Sequence, residues 1–293
     1  MEAISSFIEY LRFEKRYSKH SLIAYEIDLK QWVSYLNSSY EVTQLEQVQV
    51  PFIRSWLVSM MENGLSARSI NRKITALKSF YKYALRSGWV QINPMGKISS
   101  PKIPKRLPVY VEADKLDLLL DQTEFSDDFE GIRNHLILEM FYGTGMRLSE
   151  LIELELRDVD TRNLQLKVTG KRNKQRILPL FPSLAHQINK YLEMRNALTS
   201  STSHFFITPD GKSLYPILVY RLVNKYLTKV STQKKRSPHV LRHSFATEML
   251  NKGADLNAIK EILGHANLSA TQVYTHNTIE KLKVAYLQAH PRA

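Results

Sequence analysis

A proline-rich break divides this chain into two parts that must fold separately. Asn93-Pro94 is followed by Ser99, Ser100, Pro101, Pro104 and Pro108. Proline lacks a backbone N–H and clashes with the preceding turn, so no helix runs through such a stretch; with its serines and lysines it reads as an extended interdomain link. A chain of 293 residues leaves each side long enough to bury a core of its own. The expected division is residues 1–97, a link at 98–108, and a second domain over 109–293.

The first part reads as four helices with short turns, around Ile4–Phe13, Ser21–Tyr35, Pro51–Glu62 and Ala67–Arg86. The second opens at Ser18–Leu22 and turns Tyr25, Leu29, Trp32, Val33 and Leu36 inward. Charge is distributed unevenly. The net charge is +13, and from Asn63 to Val111 there is no Asp or Glu. In the helix from Ala67, residues Ile70, Ile74, Leu77, Tyr81, Ala84 and Leu85 recur at helical spacing as a buried stripe, and Arg68, Arg72, Lys78, Lys82 and Arg86 lie off it. A solvated face is one reading. A membrane-surface helix is another, but its apolar face would have to be free for lipid, and the earlier helices can cover it. A face with no acid of its own suits phosphates, and Lys102, Lys105 and Arg106 extend it into the link.

Other classes fall away. No cysteine is present, which excludes disulfides, thiol catalysis and thiolate metal sites. Glu2, Glu9, Arg12, Glu14, Lys15 and Arg16 break up any secretory h-region, and no apolar run approaches membrane-spanning length. The expectation is a protein of the cytoplasm or nucleoid, not of a membrane.

The second part is again helical in pattern, interrupted once. Leu164, Leu166 and Val168 alternate with Gln165, Lys167 and Thr169, and Ile177-Leu178-Pro179-Leu180 follows Gly170-Lys171-Arg172-Asn173-Lys174, as in a β-hairpin with Lys171 near its tip. Three further constellations stand out. In Gly143-Thr144-Gly145-Met146-Arg147-Leu148-Ser149-Glu150, Thr144 is an N-cap candidate that would put Arg147 in a first helical turn, free for an anion or paired with Glu150. In Ser237-Pro238-His239-Val240-Leu241-Arg242-His243, Pro238 suits the first helical position, and His239 and Arg242 share a face. His239 and His243 have the spacing of a zinc helix, but Val240 stands where a metalloprotease needs Glu, so no metal is expected and His243 is assigned to structure. In Leu263-Gly264-His265, Gly264 ends a helix; Ser269 and Gln272 then form a capping-box pattern, and Tyr274 follows about one turn in.

Two arginines, two histidines, a lysine and a tyrosine suit phosphoryl transfer without metal. Fixed guanidinium groups hold charge developing on non-bridging oxygens, a tyrosine can carry a covalent phosphoryl group, and a lysine can protonate the leaving alkoxide. A covalent intermediate conserves bond energy, so a strand can be cut and rejoined without ATP.

The order Arg147, Lys171, His239-x-x-Arg242, His265, Tyr274 resembles the active-site signature of the tyrosine recombinases, the phage-integrase family. Tyr142–Leu151, Gly170–Leu180, Ser237–Thr247 and Leu263–His276 look closer still to its Xer branch, of the XerD and XerC type, as does the carboxyl end His290-Pro291-Arg292-Ala293. The resemblance covers essentially the whole chain. It implies a mainly α fold, with an N-terminal four-helix SAM-like core-binding domain and a helical catalytic domain carrying a small β-hairpin or sheet. It implies that Arg147 and Arg242 clamp the scissile phosphate, Lys171 protonates the 5′-hydroxyl, His239 assists proton transfer, His265 bonds a phosphate oxygen and Tyr274 forms a 3′-phosphotyrosine. Arg172 and Lys174 join the DNA-facing cations. Arg172 stands where the family often has Gly, which leaves Asn173 to take any left-handed conformation at the tip.

The resemblance further implies double-stranded DNA clamped between the domains and no cofactor. It implies a homotetramer, or a heterotetramer with a second Xer-type recombinase. The tail Ile279–Ala293, with Leu282 and Tyr286 on one face, would dock on a neighbouring subunit. The task implied is resolution of chromosome dimers at a dif-type site, with the division-site DNA translocase FtsK as activator. Integration of a mobile element, relaxation of DNA in the manner of type IB topoisomerases, and a DNA-binding regulator without catalysis are the alternatives.

Overall fold

A computed structural model describes residues 2–104, 109–170, 173–264, 276–290 and 292, with backbone alone for 276–282. The chain forms two compact units, Met1–Arg106 and Leu107–Ala293.

The first unit holds four helices, α1 (Glu2–Phe13), α2 (Lys19–Tyr40), α3 (Val50–Glu62) and α4 (Ala67–Arg86). Ser18 and Ser66 cap α2 and α4, each accepting a backbone N–H three residues on. Phe7, Trp32, Ile53, Ile74, Leu77, Phe80 and Tyr81 fill the core between them. A short 3-10 turn at Pro94–Lys97 and Ile98 close onto that core, and Asn71 donates to the Pro101 carbonyl at 2.9 Å.

The stripe on α4 is buried as its spacing predicts, except that Leu85 at one edge is exposed, while Phe80 at the other edge is buried as well. The outer face is less purely cationic than the helix alone indicates. Asp28 on α2 is buried, and it accepts Lys73 Nζ at 2.8 Å and Arg72 Nη1 at 2.5 Å. Lys73, itself buried, also donates to Gln31. The missing acid comes from a neighbouring helix, which sequence order on α4 does not reveal. Arg86 lies over the Tyr10 ring at 4.5 Å and near Glu14.

The second unit is built on α6 (Phe129–Thr144), apolar nearly all round and therefore enclosed. Around it lie α5 (Ala113–Gln122), α7 (Leu148–Ile152), α8 (Pro182–Asn196), α9 (Pro216–Val230), α10 (Pro238–Asn251), α11 (Leu256–Leu263) and α12 (His276–Ala289). A three-stranded antiparallel sheet, β1 (Val159–Asp160), β2 (Gln165–Thr169) and β3 (Gln175–Pro179), contains the expected hairpin. Val168 pairs with Arg176 and Leu166 with Leu178, the Gly170 amide donates to Lys174 O at 2.7 Å, and Asn173 is left-handed at φ +57°.

Two local expectations change. Thr144 does not open a helix; it closes α6, its hydroxyl donating to Met140 O at 2.6 Å. The turn falls one residue later, at Gly145 with φ +62°, where an added Cβ would lie 2.4 Å from the Phe245 ring. Arg147 is consequently the N-cap of α7, one position before its first turn.

In this structure the C-terminal segment packs on its own unit. Tyr286 Oη donates to Gly143 O at 2.6 Å, His290 stacks on Phe181, and Arg292 meets Asp117, Asp121 and Glu139.

Candidate active site

Three arginines from three parts of the second unit converge on the end of α11. A helix leaves its last carbonyls without intrahelical partners. Here consecutive carbonyls each take a guanidinium: Ile262 O accepts Arg176 Nε at 2.6 Å, Leu263 O accepts Arg242 Nη2 at 2.6 Å, and Gly264 O accepts Arg147 Nη2 at 2.9 Å. Gly264 caps the helix at φ +63°, as expected for a terminating glycine.

Each arginine arrives for a local reason. Arg147 leaves the Gly145 turn with extended backbone, and Glu150 fixes it twice, accepting its backbone N–H at 2.8 Å and its Nη1 at 2.6 Å. Arg242 lies one turn into α10, beyond Pro238 at the first helical position, and its other arm donates to Gly145 O at 2.7 Å. Arg176 is on the inner face of β3 with Leu178, and grips both Glu150 oxygens, at 2.7 and 2.9 Å.

Three guanidiniums against the one carboxylate of Glu150 leave two positive charges uncompensated among the described residues. Burial raises the Glu150 pKa, but the hydrogen bonds and charges of Arg176 and Arg147 outweigh it and hold the group at about 2. Burial, then the charges of Arg147 and Arg176, push Arg242 down to about 9. A guanidinium still keeps its proton in a folded protein, so what this environment creates is a demand for an anion. His239 is lowered from its ordinary value by burial, and further by Arg242, Arg147 and Lys235. The shift favours the uncharged imidazole, which can accept or relay a proton.

Arg147, His239 and Arg242 line one cleft of about 490 Å³ together with Met146, Pro216 and Tyr220. No lining residue is acidic among those described. The cleft also opens at the N-terminus of α10, where backbone N–H groups favour negative charge. Two guanidinium forks, a neutral imidazole and a helix N-terminus can hold a phosphodiester and stabilise charge on its non-bridging oxygens.

The structure thus brings together three of the six expected catalytic residues. Lys171, His265 and Tyr274 lie outside the described residues, although Gly170 and Gly264, which precede the first two, both border the Glu150–Arg176 pair. Of the expected DNA contacts, Arg68, Arg72, Lys78, Lys82, Arg86 and Lys102 are exposed on the first unit and Lys174 on the second; Lys105, Arg106 and Arg172 lie outside the described residues. Sequence reasoning missed Arg176. Its signal is present: in a strand that buries Leu178, position 176 also points inward, and an inward arginine requires a buried partner.

Comparison with known proteins is consistent along the whole chain. The phage integrase family model matches residues 110–281, and the phage integrase N-terminal SAM-like domain matches 4–88. A protein named tyrosine recombinase XerC from Chlorobaculum parvum is 38% identical over 317 residues, covering 99% of this chain and 94% of the relative. One named tyrosine recombinase XerD from Staphylococcus epidermidis is 34% identical, with 99% of each chain covered. The XerH site-specific recombinase bound to difH substrate, in a pre-cleavage complex, shares the fold at a TM-score of 0.71 and 23% identity, over 95% of this chain and 82% of that one. The chain therefore belongs to the phage integrase family as a Xer-like tyrosine recombinase, a DNA strand transferase.

Proposed function

We propose that this protein cuts and rejoins duplex DNA at a specific site through a 3′-phosphotyrosine on Tyr274, and that its task is resolving chromosome dimers at a dif-type site. The observation that carries the reading is the acid-free cleft in which Arg147 and Arg242 meet beside His239. In this reading Arg147 and Arg242 grip the scissile phosphate, His239 relays a proton, His265 bonds a phosphate oxygen and Lys171 protonates the 5′-oxygen as it leaves. The exposed cations of α4, with Lys102, Lys105 and Arg106, bind the backbone and set register. Arg172 and Lys174 add contacts beside the hairpin. The Xer relatives that align over 99% of the chain support the site-specific recombinase reading. The working assembly is a tetramer on two DNA sites, with itself or with a second Xer-type recombinase, and the division-site translocase FtsK is its activator. Localisation follows the DNA, in the nucleoid.

A nicked duplex carrying a dif-type site tests the chemistry, because loss of the short fragment beyond the nick traps the covalent adduct. The wild-type chain gives an adduct stable on a denaturing gel. Tyr274→Phe gives none and binds the same duplex with nearly unaltered affinity. An adduct formed by the Phe variant overturns the assignment of the nucleophile. Relaxation of plasmids at arbitrary sequence, without recombinant product from paired sites, would favour the topoisomerase alternative.

A further inference from the structure

We propose that Arg176, which does not line the cleft, is a positioning residue for strand transfer: it ties the root of the Lys171 hairpin, the end of α11 before His265, and the Glu150 support of Arg147 into one rigid joint. The proposal rests on the reading that Lys171 and His265 act at this site.

The geometry is specific to an arginine in this place. Its Nη1 and Nη2 meet the two Glu150 oxygens in a fork, and its Nε turns away to Ile262 O. One planar group thereby links β3, α7 and α11, with Arg176 and Glu150 only 5% and 2% exposed. A lysine can reach one of these partners but cannot present the fork and the third donor together. Two glycines let the chain close around the joint. A Cβ at Gly170 would lie 3.3 Å from Glu150 Oε1 and 3.7 Å from Arg176 Nη1, and one at Gly264 would lie 3.1 Å from Arg176 Cδ. Each glycine is the residue immediately before a candidate catalytic side chain. Gly170 and Gly264, the residues before Lys171 and His265, thus both lie against the Arg176 side chain.

Core stability alone gives little reason for such a pair. A buried ion pair is often no more stabilising than a well-packed apolar pair of the same volume. An apolar pair, however, has no acceptor for Arg147 and no donor for Ile262 O. Removing Arg176 leaves Glu150 against Arg147 alone, frees the α11 carbonyl, and loosens the chain at Gly170 and Gly264 together. Misplacing reacting groups by about 1 Å typically costs ~10²-fold in rate.

The test uses the full-length chain, the nicked dif-type duplex, and the variants Arg176→Met and Arg176→Lys. Three quantities are measured: the single-turnover rate of adduct formation, the affinity for the same duplex, and amide hydrogen exchange without DNA. Arg176→Met should lose about 10²-fold in rate, hold DNA within threefold of wild type, and exchange faster in the segments next to Gly170 and Gly264. Arg176→Lys should recover part of the rate, and as the milder change it carries the test if the Met variant does not fold. A Met variant that folds and cleaves at the wild-type rate overturns the proposal. So does rate loss in both variants that merely parallels loss of DNA binding or of global protection. If the wild-type chain forms no adduct, the functional reading fails, and exchange decides the joint by itself: unchanged exchange at both segments refutes it, and joint acceleration supports it.

Discussion

Arg242 illustrates how a single residue acquires a role from its surroundings. Only 5% of it is exposed, and both arms of its guanidinium are held by carbonyls, so its position is set before any ligand arrives. Arg147 is more open at the mouth of the same cleft. Losing one preorganised donor to a developing oxyanion costs ~10²–10³ in rate. Arg147→Ala should therefore lower adduct formation by about that factor on DNA that remains bound, as read by single-turnover cleavage beside a filter-binding isotherm. Equal losses in rate and affinity would show that the group serves binding instead. At this scale the sequence was legible where local pattern is sufficient. Arg147 beside a glycine turn and His239-x-x-Arg242 behind Pro238 can be recognised by inspection. That Arg147 is paired with Glu150 was one of two open readings. That Glu150 is shared with Arg176, 26 residues further on, depends on β3 folding back, and no local pattern encodes it.

Among the elements, α4 best separates affinity from stability. Arg68 and Lys82 are exposed, whereas Lys73 is buried on Asp28. Arg68→Ala and Lys82→Ala should each lower the slope of log affinity against log salt by about 0.9, the value for one phosphate contact, without moving the urea midpoint. Lys73→Met should do the reverse. It leaves a buried carboxylate with Arg72 as its remaining cation, a change of the kind that costs about 3 kcal/mol. Urea denaturation compared with a salt titration of DNA binding separates the two classes, and a stability loss in Arg68→Ala would contradict the division. The amphipathic stripe made α4 readable, since 3.6-residue periodicity survives in the sequence. Its ionic partner on α2 was not readable, because a lone aspartate in another helix carries no sign of where it points.

Across the whole second unit, the C-terminal segment introduces two buried groups with opposite responses to acid. Burial pushes His290 down to about 4, aided by the charges of Arg292 and Lys252 against the Tyr142 carbonyl. Its contribution is complete above its unfolded value near 6.5 and vanishes as pH falls to 4. Burial pushes Glu139 up to about 7, against the pull of Arg292. Its cost is absent below about 4.5 and grows as pH rises to 7. Between pH 4.5 and 6.5 the two slopes oppose each other. Glu139→Gln removes one of them, so its unfolding free energy should fall more steeply on acidification than that of the wild type, by about 1.4 kcal/mol per pH unit. Parallel curves in urea denaturation at pH 5 and 6.5 would rule this out. Charge and a proline break announced a two-part protein for a polyanion. The packing of Tyr286 and His290 on their own unit was not announced: an apolar face on the tail, read with the resemblance, suggests a neighbouring subunit, and only the fold places Phe181 and Phe245 beside these residues.

The crowding of three guanidiniums round the end of α11 bears on how DNA would be recognised. A guanidinium has five N–H donors, and the bonds described for Arg147 and Arg242 use two on each. A phosphate oxygen entering this cleft can therefore take an N–H from an arm that keeps the acceptor fixing it. The ordering cost of the clamp is met when the domain folds, and not when DNA arrives.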